Sequence, residues 1–327
     1  MAQATGLSEQ EVALPPFLEE ILACPDCGGA LTLDAVGAQC GRTGDVYLTE
    51  PSGRPDLRPH GPQRLELSFD PRESLPSLDQ PPFGRLTANA RPAVQVRGHA
   101  YRIDPLLLTW FPAARDEREW MLGVACGTAH HRTVCERTGY RYVGLDVGGE
   151  FATVLGDAQA LPFRDESFGF VLSIATLEHV PQPVLMLSEI ARVLKPGGRL
   201  VGTVAFLEPY HGGTVDPASA SGGSYCHLSP LGTLASLRAA GLDAVLIAPV
   251  PRWSVLEAQA SMSLFPRLPR RAARSLVAPL VLAHRGWWAL GSRVRKTFAS
   301  SAVYRELSTA GAVCFVAEKP GQPAPAR

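Results

Sequence analysis

The chain predicts an α/β fold on a doubly wound, mostly parallel sheet, and three observations carry that prediction. From residue 119 onward, short apolar runs alternate with stretches of helical periodicity. A glycine-containing turn, GVACGT at 123–128, closes the first run, and Asp146 closes the second. Pro196, Gly197 and Gly198 stop a later helical stretch and open the next run. In such folds ligands bind beyond the carboxyl ends of the strands, where these turn and acidic residues fall.

Each element follows from its own residues. EWMLGVAC at 119–126 is a first strand, AHHRTVCERTG a helix and RYVGLDV a second strand. FGFVLSIA is a later strand and PVLMLSEIARVL a helix. RLVGTVAF reads as a strand, LSPLGTLASLRAAG as a helix, and DAVLIAPV and GAVCFVAEK as two closing strands. Only ten residues separate Asp146 from Asp157, fewer than a parallel crossover normally needs. The helix expected between those strands is therefore missing, and Gly148-Gly149 reads as a hairpin turn. Upstream, YRIDPLLLTWFP at 101–112 is apolar enough to pack, either in a lid or as a helix docked on the sheet edge.

The 327 residues are 46% hydrophobic and 19% charged with zero formal charge, so no global field draws the molecule to nucleic acid or membrane. No basic segment followed by an apolar stretch opens the chain, and no run approaches the roughly 20 apolar residues of a membrane span. The expected location is cytoplasmic. The seven cysteines are expected to be thiols or metal ligands.

Cys24 and Cys27 form a CxxC knuckle, and Cys40 follows in a strand-like context. The segment resembles a small zinc-ribbon-like module, here spanning residues 1–60. The resemblance puts a fourth cysteine where Thr43 stands, and a neutral hydroxyl is a poor zinc ligand. Either zinc is lost, or Asp45 or His60 completes the shell of Cys24, Cys27 and Cys40. Eight prolines between residues 51 and 82 bar central strands and long helices, so residues 61–84 read as a linker over the surface. The principal domain then covers 85–320, with a disordered tail at 321–327.

GVACGT, YVGLDV, GDAQALPFRDESFGFVLSIATLEHV and EIARVLKPGGRLVGTV occur in that order. Their order and wording resemble the class I S-adenosylmethionine-dependent methyltransferases of the bacterial small-molecule type, a Rossmann-like family. The resemblance implies S-adenosylmethionine as cofactor, with Ala125, Cys126, Gly127 and Thr128 facing its methionine portion. It places Asp146 on the ribose, and Asp157 with Ala158 on the adenine. Leu177, Glu178 and His179 fall near the transferring methyl group. Three positions depart from the family pattern. Gly123, in the cofactor-binding turn, replaces an acid, Ala129 replaces a glycine, and Gly169 replaces an aspartate.

Methyl transfer to oxygen or nitrogen needs a deprotonated, aligned nucleophile. His179, His211 and His227, with Glu178 and Tyr210, are the acid–base candidates, and His211 in AFLEPYHGG leads, followed by His179. Residues 252–298 form an insertion with nine basic residues (Arg252, Arg267, Arg270, Arg271, Arg274, Arg285, Arg293, Arg295, Lys296) against Glu257 alone. Its favoured reading is a lid of two helices broken at Pro279, apolar face over the substrate and arginines toward water. Peripheral contact with an anionic membrane is the alternative; nucleic acid is not an expected partner. The function so read is methyl transfer to a small-molecule or lipid-linked acceptor. The other reading is a degenerate, non-methylating domain acting as a binding or scaffolding subunit.

Overall fold

The computed structural model describes residues 18–34, 36–50, 52–61, 75–93, 103–211, 223–294 and 302–321. The expectations for Arg295, Lys296, residues 322–327 and most of the 61–84 linker lie outside those residues.

Among them, the principal element is a seven-stranded sheet. Its strands are β4 (Trp120–Val124), β5 (Arg141–Asp146), β6 (Val154–Leu155), β7 (Phe168–Ile174), β8 (Leu194–Ala205), β9 (Asp243–Pro249) and β10 (Ala312–Glu318). Their order is β6-β5-β4-β7-β8-β10-β9. β4 to β8 pair in parallel, and β10 runs antiparallel between β8 and β9. The chain reverses between β4 and β7, which is where a doubly wound sheet opens a crevice. The carboxyl ends of β4, β5, β7 and β8 therefore share one edge.

The alternation of apolar runs and helices forecast this sheet correctly. Both faces are covered, so central strands such as β4 are buried along their whole length. α3 (Pro183–Val193) buries Met186, Leu187, Ile190 and Val193, and ends before Pro196 as its sequence requires. α1 (Pro105–Leu108) opens on the Asp104 carboxylate, which accepts from Leu106 N at 2.8 Å, and packs Leu107 and Leu108 against Phe111, Met121 and Phe170 on the opposite face. α2 (Arg132–Glu136) is a single short turn, and α4 (Pro230–Ala239) starts at Ser229, whose hydroxyl accepts from Gly232 N at 3.0 Å.

The motifs that recur in register are held to one another. The Arg192 guanidinium donates to the carbonyls of Phe163 (2.7 Å) and Leu161 (2.9 Å), while the Glu189 carboxylate accepts from Leu161 N at 2.8 Å. RVLKPGG and LPF are thus two halves of one clamp.

The hairpin expectation at Gly148-Gly149 is corrected. The helix is absent, yet β5 and β6 pair in parallel. A seven-residue loop suffices because β6 pairs only with the last two residues of β5, so the chain need not travel back along the whole strand. Thr153 seals the loop, donating its amide to Gly144 O at 2.7 Å and accepting from Gly144 N at 3.1 Å through its hydroxyl.

The N-terminal residues form a small antiparallel meander of β1 (Leu31–Leu33), β2 (Gly37–Cys40) and β3 (Val46–Leu48). Leu18, Leu22, Tyr47 and Leu57 join the same core as Val154, Leu161 and Phe163, so this meander is welded to the sheet. Leu57 N donates to Leu155 O (2.8 Å) and Leu155 N to Pro55 O (3.0 Å), adding a bridge outside β6. At the other margin Ile247 N donates to Pro82 O and Gly84 N to Ile247 O, both at 3.0 Å, outside β9. Pro55 and Pro82, both in the proline-rich stretch, thus sit against opposite edges of the sheet. Proline fits there because an edge residue can lack the donor a central strand needs.

The basic insertion is also corrected. α5 (Val255–Gln259) runs through a π turn, and then one continuous helix, α6 (Arg270–Val294), carries Pro279 within it. Proline removes the amide that would bond the Ser275 carbonyl, but Ser275 is exposed, so water can satisfy that acceptor. α7 (Ala302–Ser308) leads into β10. No described helix is long and apolar enough to cross a membrane.

Candidate functional site

The turn after β4 is built for close approach to its backbone. Gly127 adopts φ +51, with no atom within 4 Å of the position a Cβ would take. Ala125 and Ala129 are also left-handed at φ 50, a conformation costing a non-glycine residue about 1–2 kcal/mol. The Asp146 carboxylate pins the turn: Oδ2 accepts from Gly127 N at 2.8 Å and Oδ1 from Gly148 N at 3.2 Å. A carboxylate offers about four acceptor positions, so it retains capacity for ligand hydroxyls. Asp157 stands one loop away, its Oδ1 accepting from Gln159 N at 2.8 Å. Open glycine backbone, a half-buried carboxylate and a second carboxylate beyond it fit the nucleoside end of S-adenosylmethionine. Leu177 and Ala158 are buried, and would offer a ligand mainly their backbone.

Cys126 packs against the bare face of Gly144. Burial, reinforced by the negative charge of Asp146, pushes its thiol up to about 12, so Cys126 stays protonated as a small packing group.

Two departures from the family pattern have a packing reason. A Cβ on Gly123 would lie 2.4 Å from the Tyr142 hydroxyl, and one on Gly169 would lie 3.0 Å from the Tyr140 ring. Two tyrosines of the second strand region occupy the space the missing acids would need. Gly123→Asp should therefore lower stability by about 1–3 kcal/mol. Adding Tyr142→Ala should return part of that loss in denaturant titrations. Additive costs for the two changes would show that Tyr142 is not the obstacle.

Across the sheet reversal, β7 and β8 deliver a second cluster. Glu178 and His179 lie in a short 3₁₀ turn after β7, and Glu208 and His211 in the loop after β8. His211 Nε2 is 3.9 Å from Glu178 Oε1, and its Nδ1 is 3.7 Å from Glu208 Oε2. The His179 ring lies edge-on to His211 at 5.1 Å, and His227 stacks beside it at 6.0 Å. Glu178 is 1% exposed, and its Oε2 has no hydrogen-bond partner among the described residues. Burial pushes its carboxyl up to about 7, with His211 opposing the shift and Glu208 adding to it. Glu178, Glu208 and His211 line a cavity of about 1050 Å³ walled also by Ile103, Leu107 and Ile174.

Arg270, Arg271 and Arg274 of α6 line that cavity as well. The lid expectation had the arginines toward water and the apolar face over the substrate; the helix presents the reverse. Glu208 was missed, although it lies in the same AFLEPYHGG stretch as His211. Tyr210 is 71% exposed and does not join the cluster.

In the N-terminal meander the Cys24, Cys27 and Cys40 sulfurs lie within 4.8 Å of one another, so the three candidate ligands do gather. Asp45 comes within the same distance of Cys24, whereas His60 stacks on Tyr47 at 4.6 Å. Thr43 spends its hydroxyl on Asp45 at 2.5 Å. Three thiols and a distracted carboxylate fit a closed four-ligand zinc shell poorly. Elemental analysis should return well under one zinc per chain; a full, tightly held equivalent would overturn this and point to Asp45, His60 or another chain as the fourth donor.

Residues 122–202 match the family profile described as "Methyltransferase domain". The chain is 34% identical over 105 residues to the fatty-acid O-methyltransferase of Mycolicibacterium smegmatis, covering 27% of this chain and 38% of that one. It is 36% identical over 100 residues to phthiotriol/phenolphthiotriol dimycocerosates methyltransferase 1 of Mycobacterium ulcerans, covering 25% and 36%. The chain thus matches under two fifths of the length of these relatives. Among solved structures, phosphoethanolamine N-methyltransferase 2 of Haemonchus contortus in complex with S-adenosyl-L-methionine matches with 19% identity and a TM-score of 0.38, over 65% of this chain and 51% of that one.

Proposed function

We propose that this chain, which carries a class I S-adenosylmethionine-dependent methyltransferase domain around residues 122–202, transfers a methyl group to a small-molecule or lipid-linked acceptor bearing an anionic group. One observation carries the reading. The Asp146-pinned turn after β4 and the Glu178–His211–Glu208 cavity after β7 and β8 open on the same sheet edge, on either side of the strand-order reversal.

S-adenosylmethionine, when bound, supplies an electrophilic methyl group on a sulfonium. Gly127, Asp146 and Asp157 would hold it. The protein's own task is to orient the acceptor and take its proton. His211 faces the cavity between two carboxylates with its Nδ1 3.1 Å from the Pro209 carbonyl, so an imidazolium formed there would be stabilised by that carbonyl and by the nearby charges of Glu178 and Glu208. Arg271 and Arg274 offer cations to an acceptor's anionic group, and Leu86, Ile103, Leu107 and Val250 accept an apolar body. The lipid substrates named for two relatives support that acceptor class.

The scaffolding alternative draws support from Gly123 and the strained Ala125 and Ala129. Calorimetric titration with S-adenosylhomocysteine separates the two. Saturable one-to-one binding, followed by methyl incorporation into a fatty-acid or lipid-phosphate panel, is expected. Absence of binding would leave the scaffold.

A further inference from the structure

We infer that α6 seats the protein on an anionic lipid surface. The helix is 25 residues long, about 37 Å at 1.5 Å per residue, and Ala273 is its one buried residue. Leu276, Leu280, Ala283, Trp287, Leu290 and Val294 recur at alternating spacings of four and three, which aligns them in one stripe. The leucines, the tryptophan and the valine of that stripe are between 56% and 73% exposed. None of the six lines either cavity beside the helix. Leu264, Phe265 and Leu268, just ahead of the helix, are exposed as well.

Charge selects the occupant. Between Glu257 and Glu306 the sequence has no acidic residue, and Arg267, Arg270, Arg271, Arg274, Arg285 and Arg293 lie on or just ahead of α6. A second copy docked through the stripe would set two acid-free, arginine-rich helices side by side, which like-charge repulsion opposes. An anionic bilayer meets both features. Leucines and Trp287 enter the headgroup boundary, while Arg267 ahead of the helix and Arg293 near its end, which line neither cavity, are the cations placed to meet phosphates. The opposite, arginine-bearing side of α6 walls the cavity, so a surface-bound molecule holds that cavity beside its lipid supply.

The inference stands apart from methyl transfer, because binding is read without turnover. The full chain should sediment with vesicles of phosphatidylcholine mixed with phosphatidylglycerol, and far less with phosphatidylcholine alone. Added salt should release it as the screening length falls below about 8 Å. Leu276→Ser/Leu280→Ser/Leu290→Ser should weaken vesicle binding at least roughly tenfold, since three apolar side chains no longer leave water. Circular dichroism and S-adenosylhomocysteine titration should be unchanged in that variant. Arg267→Glu/Arg293→Glu should weaken binding to the anionic vesicles specifically. Equal sedimentation of wild type and stripe variant would overturn the inference. So would a concentration-dependent dimer that the stripe substitutions abolish, which would assign the face to a second copy.

Discussion

His211→Ala should lower kcat by about 10²- to 10⁴-fold, the usual contribution of a positioned acid–base group. KM for the cofactor should stay near its wild-type value, because Gly127, Asp146 and Asp157, the residues proposed to hold it, lie on the other side of the strand-order reversal. Glu178→Gln should act through pH. In the wild type, kcat/KM should rise through about pH 7, where the buried Glu178 carboxyl ionises and can stabilise a protonated His211. Glutamine keeps the shape and removes the titration, so that limb should vanish. Persistence of the same limb in Glu178→Gln would assign it to another group.

The same carboxyl predicts a stability effect of definite sign. Its folded pKa is raised from 4.5 to about 7, so the native state holds the proton more tightly than the unfolded chain. The stabilisation from the bound proton is full below about pH 4.5, declines between pH 4.5 and 7, and is absent above. Glu178→Gln escapes that decline. Relative to wild type, it should gain on the order of 3 kcal/mol between pH 4 and pH 8 in denaturant titrations.

Much of this arrangement was legible in the residues. The sheet followed from apolar runs of strand length, and Asp146 announced itself as the acid ending a strand beside a glycine turn. What escaped was set by partners distant in sequence. Nothing near Gly123 or Gly169 says that tyrosines at 142 and 140 fill their space. The parallel pairing of β6 depended on how few residues of β5 it meets, a matter of register rather than loop length. The spacing of α6 gave its apolar stripe but not which side would face the body. Arg270 lies over the Trp253 ring at 5.4 Å and Arg274 pairs with Glu257 at 3.4 Å. Those contacts turn the basic side inward and leave the stripe outward.

Asp146→Ala should weaken S-adenosylhomocysteine binding roughly 5- to 150-fold, the consequence of about 1–3 kcal/mol for a buried hydroxyl left without its acceptor. The structure adds a second route to the same loss. Asp146 also accepts the amides of Gly127 and Gly148, so alanine releases both the glycine turn and the loop that replaces the missing helix. Asp146→Asn separates the two contributions. Asparagine retains one acceptor oxygen but replaces the other with an amide donor, so it can hold one backbone amide and cannot serve both ribose hydroxyls. If the carboxylate contacts the ligand, asparagine should lose most of the affinity while melting near the wild-type temperature. If its role is confined to the turn, affinity and melting temperature should fall together across the two variants. Wild-type affinity in Asp146→Ala would remove Asp146 from the cofactor site altogether.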